Sequence, residues 1–308
     1  METARADVLT ADQSTTIDGD LPAPGSMRLP EAFLAGAPRT GTTSLAHWLS
    51  HTPGAFVPVA KEPKTLAVDR PLDRRALDWY AAHYADAPRG DVLVDASPQY
   101  LASPHAPRRI AALCEAPRLV ATLREPVDRA LSQHAFHTFW GAERRPFETA
   151  MADELADPDA AGPHGYLATS RYAQQVRRYL DTFSADQLLV VRFDDLRTEP
   201  AAVLARVLEH FGLDPATAPS TEERLSPTAE PRHPLAWRAT RRWRLQDWQG
   251  RLGRVARAAD ARNMRPARSK VAVAPWLRQQ LTAEFADDVA EVERLTGLDL
   301  TAWRSAPT

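Results

Sequence analysis

Short apolar runs alternate with stretches of helical spacing through the middle of the chain. AFLAG (32–36) is followed by Leu45, Trp48 and Leu49, DVLVDAS (91–97) by the helical stretch 107–113, and RLVATLR (118–124) by Val127, Ala130 and Leu131. An apolar run leading into a 3.6-residue period is a strand leading into a helix. A fourth run, LLVVRF (188–193), lies between two amphipathic helices. One carries Tyr172, Val176, Tyr179, Leu180 and Phe183; the other carries Val203, Leu204, Val207, Leu208 and Phe211 and is closed by Gly212. Strands that are apolar throughout, rather than alternating, need cover on both faces. The pattern therefore predicts an α/β fold with a P-loop-like parallel sheet flanked by helices.

The two ends read differently. Residues 1–29 are polar, acidic and punctuated by Pro and Gly, which predicts a disordered N-terminal segment, with residues 30–308 forming a single domain. After Leu213 the pattern loosens, and 216–234 reads as loop. A last helix carries Leu277, Leu281, Phe285, Val289, Val292 and Leu295. Residues 215–308 are expected to form a helical C-terminal extension that contributes to an acceptor or cofactor site.

The charge balance excludes whole classes of partner. Among 308 residues, 38 Lys+Arg against 40 Asp+Glu leave a net charge of −2, which gives no global attraction to nucleic acid. No stretch is long and apolar enough for an integral membrane span, and 1–20 has the wrong charge for a signal peptide. Cys114 is the one cysteine, too few for a disulfide or a Cys-based zinc site, so the chain reads as cytoplasmic. Only Lys61, Lys64 and Lys270 are lysines, an Arg-rich bias that reads as codon composition and fits a bacterial origin.

Two segments carry phosphate chemistry. AFLAG runs into Gly36-Ala37-Pro38-Arg39-Thr40-Gly41-Thr42-Thr43 and then a helix. Such a junction aims backbone N–H groups and the positive end of a helix at one point. The spacing is that of G-x-x-x-x-G-K-[ST], but Thr42 stands in the lysine position and Arg39 supplies the cation from within the loop. The bland reading is a Gly/Pro/Thr turn with a threonine cap. In the second segment, RLVATLR continues into EPVDRALSQH, placing Arg124 at a strand's C-terminal end and Ser132 on the next helix. Ligands of open α/β sheets bind at that edge, and an Arg with a hydroxyl suits a second phosphate. The alternative is a surface Arg124 paired with Glu125 or Asp128.

Together these segments resemble the sulfotransferases that use 3′-phosphoadenylyl sulfate (PAPS), in their APRTGTTSL and LREPVDRALS stretches. The likeness continues through KEPK (61–64), DASPQYL (95–101), 179–196 and LTGLDLTAW (295–303). It implies that Arg39, Thr40, Gly41, Thr42, Thr43 and Ser44 cradle the 5′-phosphosulfate while Arg124 and Ser132 bind the 3′-phosphate. In the resembling glycan-type enzymes a Glu in the KEPK region is the base. The resemblance thus assigns Glu62 that role, with Lys61 and Lys64 as electrostatic helpers beside Arg39, against a plain solvated loop. It also implies a late basic element at the 3′-phosphate, for which Arg265, Arg268 and Lys270 are the nearest substitutes.

Asp95 and Ser97 line the acceptor site or, alternatively, Asp95 caps a turn. A histidine base, as in the cytosolic branch, leaves His105 as an outside candidate, whereas His134 shares a face with Val127, Ala130 and Leu131 and reads as a core histidine. His47 and His51, four apart, lack a third ligand, and no metal is demanded by the chemistry. The 232–270 stretch carries twelve Arg/Lys against Asp247 and Asp260, interleaved with Trp237, Trp243 and Trp248. It reads either as a polyanion surface or as a solvated helix. The expected activity is sulfuryl transfer from PAPS to a hydroxyl of a small-molecule, natural-product, glycan or lipid-linked acceptor. The alternatives are a P-loop kinase and a non-catalytic nucleotide- or polyanion-binding protein.

Overall fold

The computed structural model describes residues 26–59, 62–158, 162, 165–222, 229–231, 263–266 and 273–305, with the side chains of 229–231 and 264–266 left aside. Five parallel strands form its centre: β1 Ala32–Gly36, β2 Ala55–Phe56, β3 Val92–Asp95, β4 Arg118–Leu123 and β5 Leu188–Arg192, in the spatial order β2-β3-β1-β4-β5. All five residues of β1 are buried. Successive side chains of a strand point to opposite faces, so a strand covered on both sides must be apolar at every position. Ala32 and Leu34 join one hydrophobic cluster, and Phe33 and Ala35 join the other.

The first cluster is covered by α1 (Thr42–Ser50), α8 (Phe193–Thr198) and α9 (Pro200–His210), through residues such as Leu45, Leu49, Leu196, Leu204 and Leu208. The second is covered by α2 (Arg74–Ala82), α3 (Ala106–Leu113), α4 (Pro126–Trp140), α5 (Phe147–Ala156), α6 (Tyr166–Ser170), α7 (Tyr172–Leu180) and α10 (Pro275–Thr296). The α10 helix buries Leu277, Leu281, Phe285, Val289 and Val292 and packs on α7 and α4. It is therefore a core helix of the main domain. At the other end, Met27 and Leu29 pack on the same core and the Arg28 guanidinium donates to Ala87 O at 2.6 Å, so ordered structure starts before residue 30. Ala229–Pro231 and Met264–Pro266 pair as an antiparallel ribbon, β6 and β7.

Local chemistry sets the helix ends that matter. Pro126 opens α4, and the Glu125 carboxylate accepts from the N–H groups of Val127 at 3.0 Å and Asp128 at 2.7 Å. This satisfies two orphan donors of the first turn. Gly41 opens α1 at φ 87, where a Cβ would lie 2.6 Å from Leu196 Cδ2. Glycine takes that conformation without the steric cost a Cβ carries, and any larger residue would push the Leu196 side chain aside. The chain leaves β1 for β2 and β3 on one side and returns to β4 on the other, so the C-terminal ends of the three central strands share a crevice.

Candidate active site

The crevice is built from the β1–α1 loop, Arg124 beyond β4 and the segment that follows β3. Threonines of β4 and the loop tie the first two together. Thr122 Oγ1 donates to Gly36 O at 3.1 Å, Ala37 N donates to Thr122 O at 2.7 Å, and Thr40 Oγ1 donates to Ala37 O at 2.5 Å and lies 2.5 Å from Thr122 Oγ1. The Thr40 side chain is fully buried. It shapes the loop from behind, which leaves its backbone, not its hydroxyl, for a ligand. Thr42 begins α1 as a buried residue, while Thr43 is exposed in its first turn.

Arg39 stands in this loop at φ 72. Its Nε donates to Ser132 Oγ at 3.3 Å, and its guanidinium lies 4.7 Å over the ring of Phe136. Ser132 and Phe136 are four apart on α4, one turn above the other on a single face. Arg124 projects into the same space with its guanidinium 4.9 Å over the ring of Phe193, and Asp128 lies 3.8 Å from Nη2. The Tyr172 hydroxyl donates to Arg124 O at 3.0 Å and fixes the end of β4. Burial first, then the positive charge of Arg124, lowers the Arg39 pKa, and the charge of Glu62 opposes both. Two guanidiniums that repel each other and a hydroxyl thus come together beside the N-terminus of a helix.

A third arginine sits behind them. Arg129 is fully buried and donates to Ser170 Oγ at 2.7 Å, to Tyr166 O at 2.5 Å and to Gln133 Oε1. Burial lowers its pKa to about 10, and the charges of Arg124 and Arg39 act in the same direction.

Glu62 and Lys64 lie at φ 67 and φ 58, and with Arg39 they are the non-glycine residues of left-handed backbone among the described residues. Such conformations persist where surrounding structure over-determines them, and they concentrate at functional sites. Lys64 Nζ lies 3.6 Å from Glu62 Oε2, and Gln99 Nε2 donates to the same oxygen at 3.2 Å. Asp95 and Ser97 are fully buried. Neither lines an open surface and Asp95 caps no turn, because its Oδ2 accepts from the hydroxyls of Tyr80 and Tyr100 while Ser97 Oγ accepts from Lys64 N. Desolvation raises the Asp95 pKa against the opposing hydroxyls of Ser97, Tyr80 and Tyr100, and the Glu62 charge adds to the rise.

His105 precedes α3 and pairs with Asp69 at 3.4 Å. His134 is buried, with Nε2 2.9 Å from Arg145 O and its ring against Phe147 and Tyr166, as its helical face predicts. The His47 and His51 rings lie 4.3 Å apart, and among the described residues no group of three His, Cys, Asp or Glu is placed to hold a metal ion. Lys61, Arg268, Lys270 and nearly all of the basic 232–270 stretch lie outside the described residues; Arg265 is placed only as backbone of β7. Sequence reasoning missed Phe136, Phe193, Gln99 and Arg129. Phe136 carried a usable signal, since it is one helical turn beyond Ser132; Gln99 sits inside DASPQYL. Phe193 and Arg129 become meaningful only through contacts distant in sequence.

A parallel sheet with a glycine loop at the central strand's C-terminal edge, faced by two arginines, defines an α/β protein of the P-loop-like class. The sequence matches the Sulfotransferase domain family over residues 29–292, and the chain belongs to that PAPS-dependent sulfotransferase family. Among curated proteins it is 30% identical over 207 residues to the human bifunctional heparan sulfate N-deacetylase/N-sulfotransferase 3, covering 61% of this chain and 23% of that protein. It is 27% identical over 202 residues to the human heparan sulfate glucosamine 3-O-sulfotransferase 3B1, covering 66% and 51%. The chain thus spans between about a quarter and about half the length of these two relatives. Among solved structures, a sulfotransferase from Alicyclobacillus acidocaldarius superposes with a TM-score of 0.66 at 25% identity, covering 90% of this chain and 99% of that one. No helix of the described residues is long and apolar enough to cross a membrane.

Proposed function

We propose that this chain moves the sulfuryl group of PAPS to an acceptor hydroxyl, releasing adenosine 3′,5′-bisphosphate (PAP), with Glu62 as general base. The acceptor oxygen forms a bond to sulfur as the bond from sulfur to the 5′-phosphate oxygen breaks, and the hydroxyl proton passes to the Glu62 carboxylate. Arg39, the loop amides and the N-terminus of α1 hold the 5′-phosphosulfate and meet the charge that develops on the leaving phosphate. Lys64, with its Nζ 3.6 Å from Glu62 Oε2, orients that carboxylate. Arg124 and Ser132 take the 3′-phosphate.

The observation that carries this reading is the Arg39–Arg124–Ser132 convergence, because two cations repelling across one pocket are stabilised by a ligand with two anionic ends. The heparan sulfate glucosamine 3-O-sulfotransferase relative supports a glycan hydroxyl as acceptor, and small-molecule, natural-product and lipid-linked hydroxyls share its chemistry. The single cysteine supports a cytoplasmic setting, and the Arg-rich composition a bacterial one.

Two measurements test the proposal. PAP is expected to raise the melting temperature more than AMP or ATP at equal concentration, since a ligand stabilises the state it binds. Equal shifts would refute the two-phosphate pocket, and magnesium-dependent consumption of ATP would replace the reading with a kinase. Glu62→Gln is expected to abolish release of PAP from PAPS while PAP affinity stays near normal; unchanged turnover would remove Glu62 from the mechanism.

A further inference from the structure

Asp95 is a fully buried carboxylate for which the transfer step above has no use. It ends β3, and two phenols reach one of its oxygens, Tyr80 Oη donating to Oδ2 at 2.6 Å and Tyr100 Oη at 2.7 Å. A phenol has one proton to give. With that proton committed to Asp95, the Tyr100 oxygen is fixed as an acceptor, and it takes the backbone N–H of Leu66 at 3.4 Å. Two residues earlier on the same loop, Lys64 N donates to Ser97 Oγ at 3.1 Å. These two bonds hold the segment that carries Glu62 and Lys64 in their left-handed conformations.

We propose that Asp95 is a positioning residue for sulfuryl transfer. By accepting the hydrogen bond of the Tyr100 hydroxyl it makes that oxygen the anchor which, with Ser97, pins the loop where Glu62 faces Arg39 beside Lys64. The proposal rests on the reading of Glu62 as base. It accounts for a costly feature, a carboxylate removed from water with its Oδ1 lacking a hydrogen-bond partner among the described residues. The Glu62 charge also reaches Asp95 and raises its proton affinity. The groups facing Asp95 are the hydroxyls of Tyr80, Tyr84, Tyr100, Tyr179 and Ser97, together with the Glu62 charge. Around Glu62 stand Lys64, Gln99 and Arg39.

The test compares Tyr100→Phe, Asp95→Leu and Asp95→Asn in the full chain, using release of PAP from PAPS with water as acceptor and amide hydrogen exchange over residues 62–68. Tyr100→Phe and Asp95→Leu should each lower kcat by about tenfold or more with KM for PAPS and PAP affinity within about twofold, because orientation of the base is lost and nucleotide binding is not. Exchange should accelerate at Lys64 and Leu66. Asp95→Asn keeps an oxygen for both phenols, so it should hold kcat within about threefold and keep those amides protected. Tyr100→Phe with wild-type turnover and unchanged exchange, or an Asn variant as damaged as the Leu variant, would overturn the assignment. Should Asp95→Leu fail to fold, Tyr100→Phe decides the matter alone. Glu62→Gln separates the two claims: if it stays active, the base reading fails, while exchange at Lys64 and Leu66 still tests the pinning.

Discussion

Replacing Arg124 by Ala should separate the two ends of the nucleotide. Its side chain is 24% exposed, and its ion pair with Asp128 is long, at 3.8 Å, while Asp128 is held more closely by Arg278 at 2.5 Å. Removal therefore leaves no carboxylate without a cation. A pair of this kind contributes about 0–1 kcal/mol, and the stacking on Phe193 about 0.5–1 kcal/mol more. The fold should lose on the order of 1 kcal/mol, a fall of about 2–4 °C in melting temperature for a domain of this size. The ligand should lose far more. Charge-assisted hydrogen bonds to a phosphate contribute about 1.5–3 kcal/mol, so PAP should bind about 10- to 150-fold more weakly. AMP has no 3′-phosphate, and deleting Arg124 also lifts a repulsion from Arg39, so AMP affinity should move by less than about threefold. Isothermal titration of both nucleotides against both proteins measures the ratio. Equal losses for PAP and AMP would remove Arg124 from the 3′-phosphate site.

The remaining predictions follow from single contacts. Gly41→Ala places a Cβ 2.6 Å from Leu196 and 3.2 Å from Phe193 at φ 87, which should destabilise the fold by about 2–4 kcal/mol by thermal or urea unfolding; a neutral result would mean that the loop can shift. Phe136→Leu removes the ring beneath the Arg39 guanidinium but keeps a side chain there, and PAPS turnover should fall by about two- to fivefold, the size of an exposed cation–π contact; turnover at the wild-type level would show that Ser132 alone suffices. Arg129→Met should destabilise the protein by about 2–4 kcal/mol, since Ser170, Gln133 and Tyr166 O lose a shared donor inside the core, and a melting temperature equal to wild type would refute that accounting.

The apolar runs determined the strands at 32–36, 92–95, 118–123 and 188–192, because strands covered by helices on both faces are mostly apolar along consecutive positions, and that demand is written locally. The loop from Gly36 to Gly41 was legible for a similar reason, since its spacing and its glycine are local demands. The helix at 74–82 was not, because it buries only Leu77 and Tyr80 on a mostly polar surface; the two-residue strand at 55–56 exists only by pairing with 92–93. Tertiary structure alone brought Arg39 to Ser132 across 93 residues, placed Phe193 beneath Arg124, and moved Asp95 from a suspected pocket wall into the core as the acceptor of two phenols. Burial and long-range contact decide what a charged side chain does, and neither is a property of its neighbours in sequence.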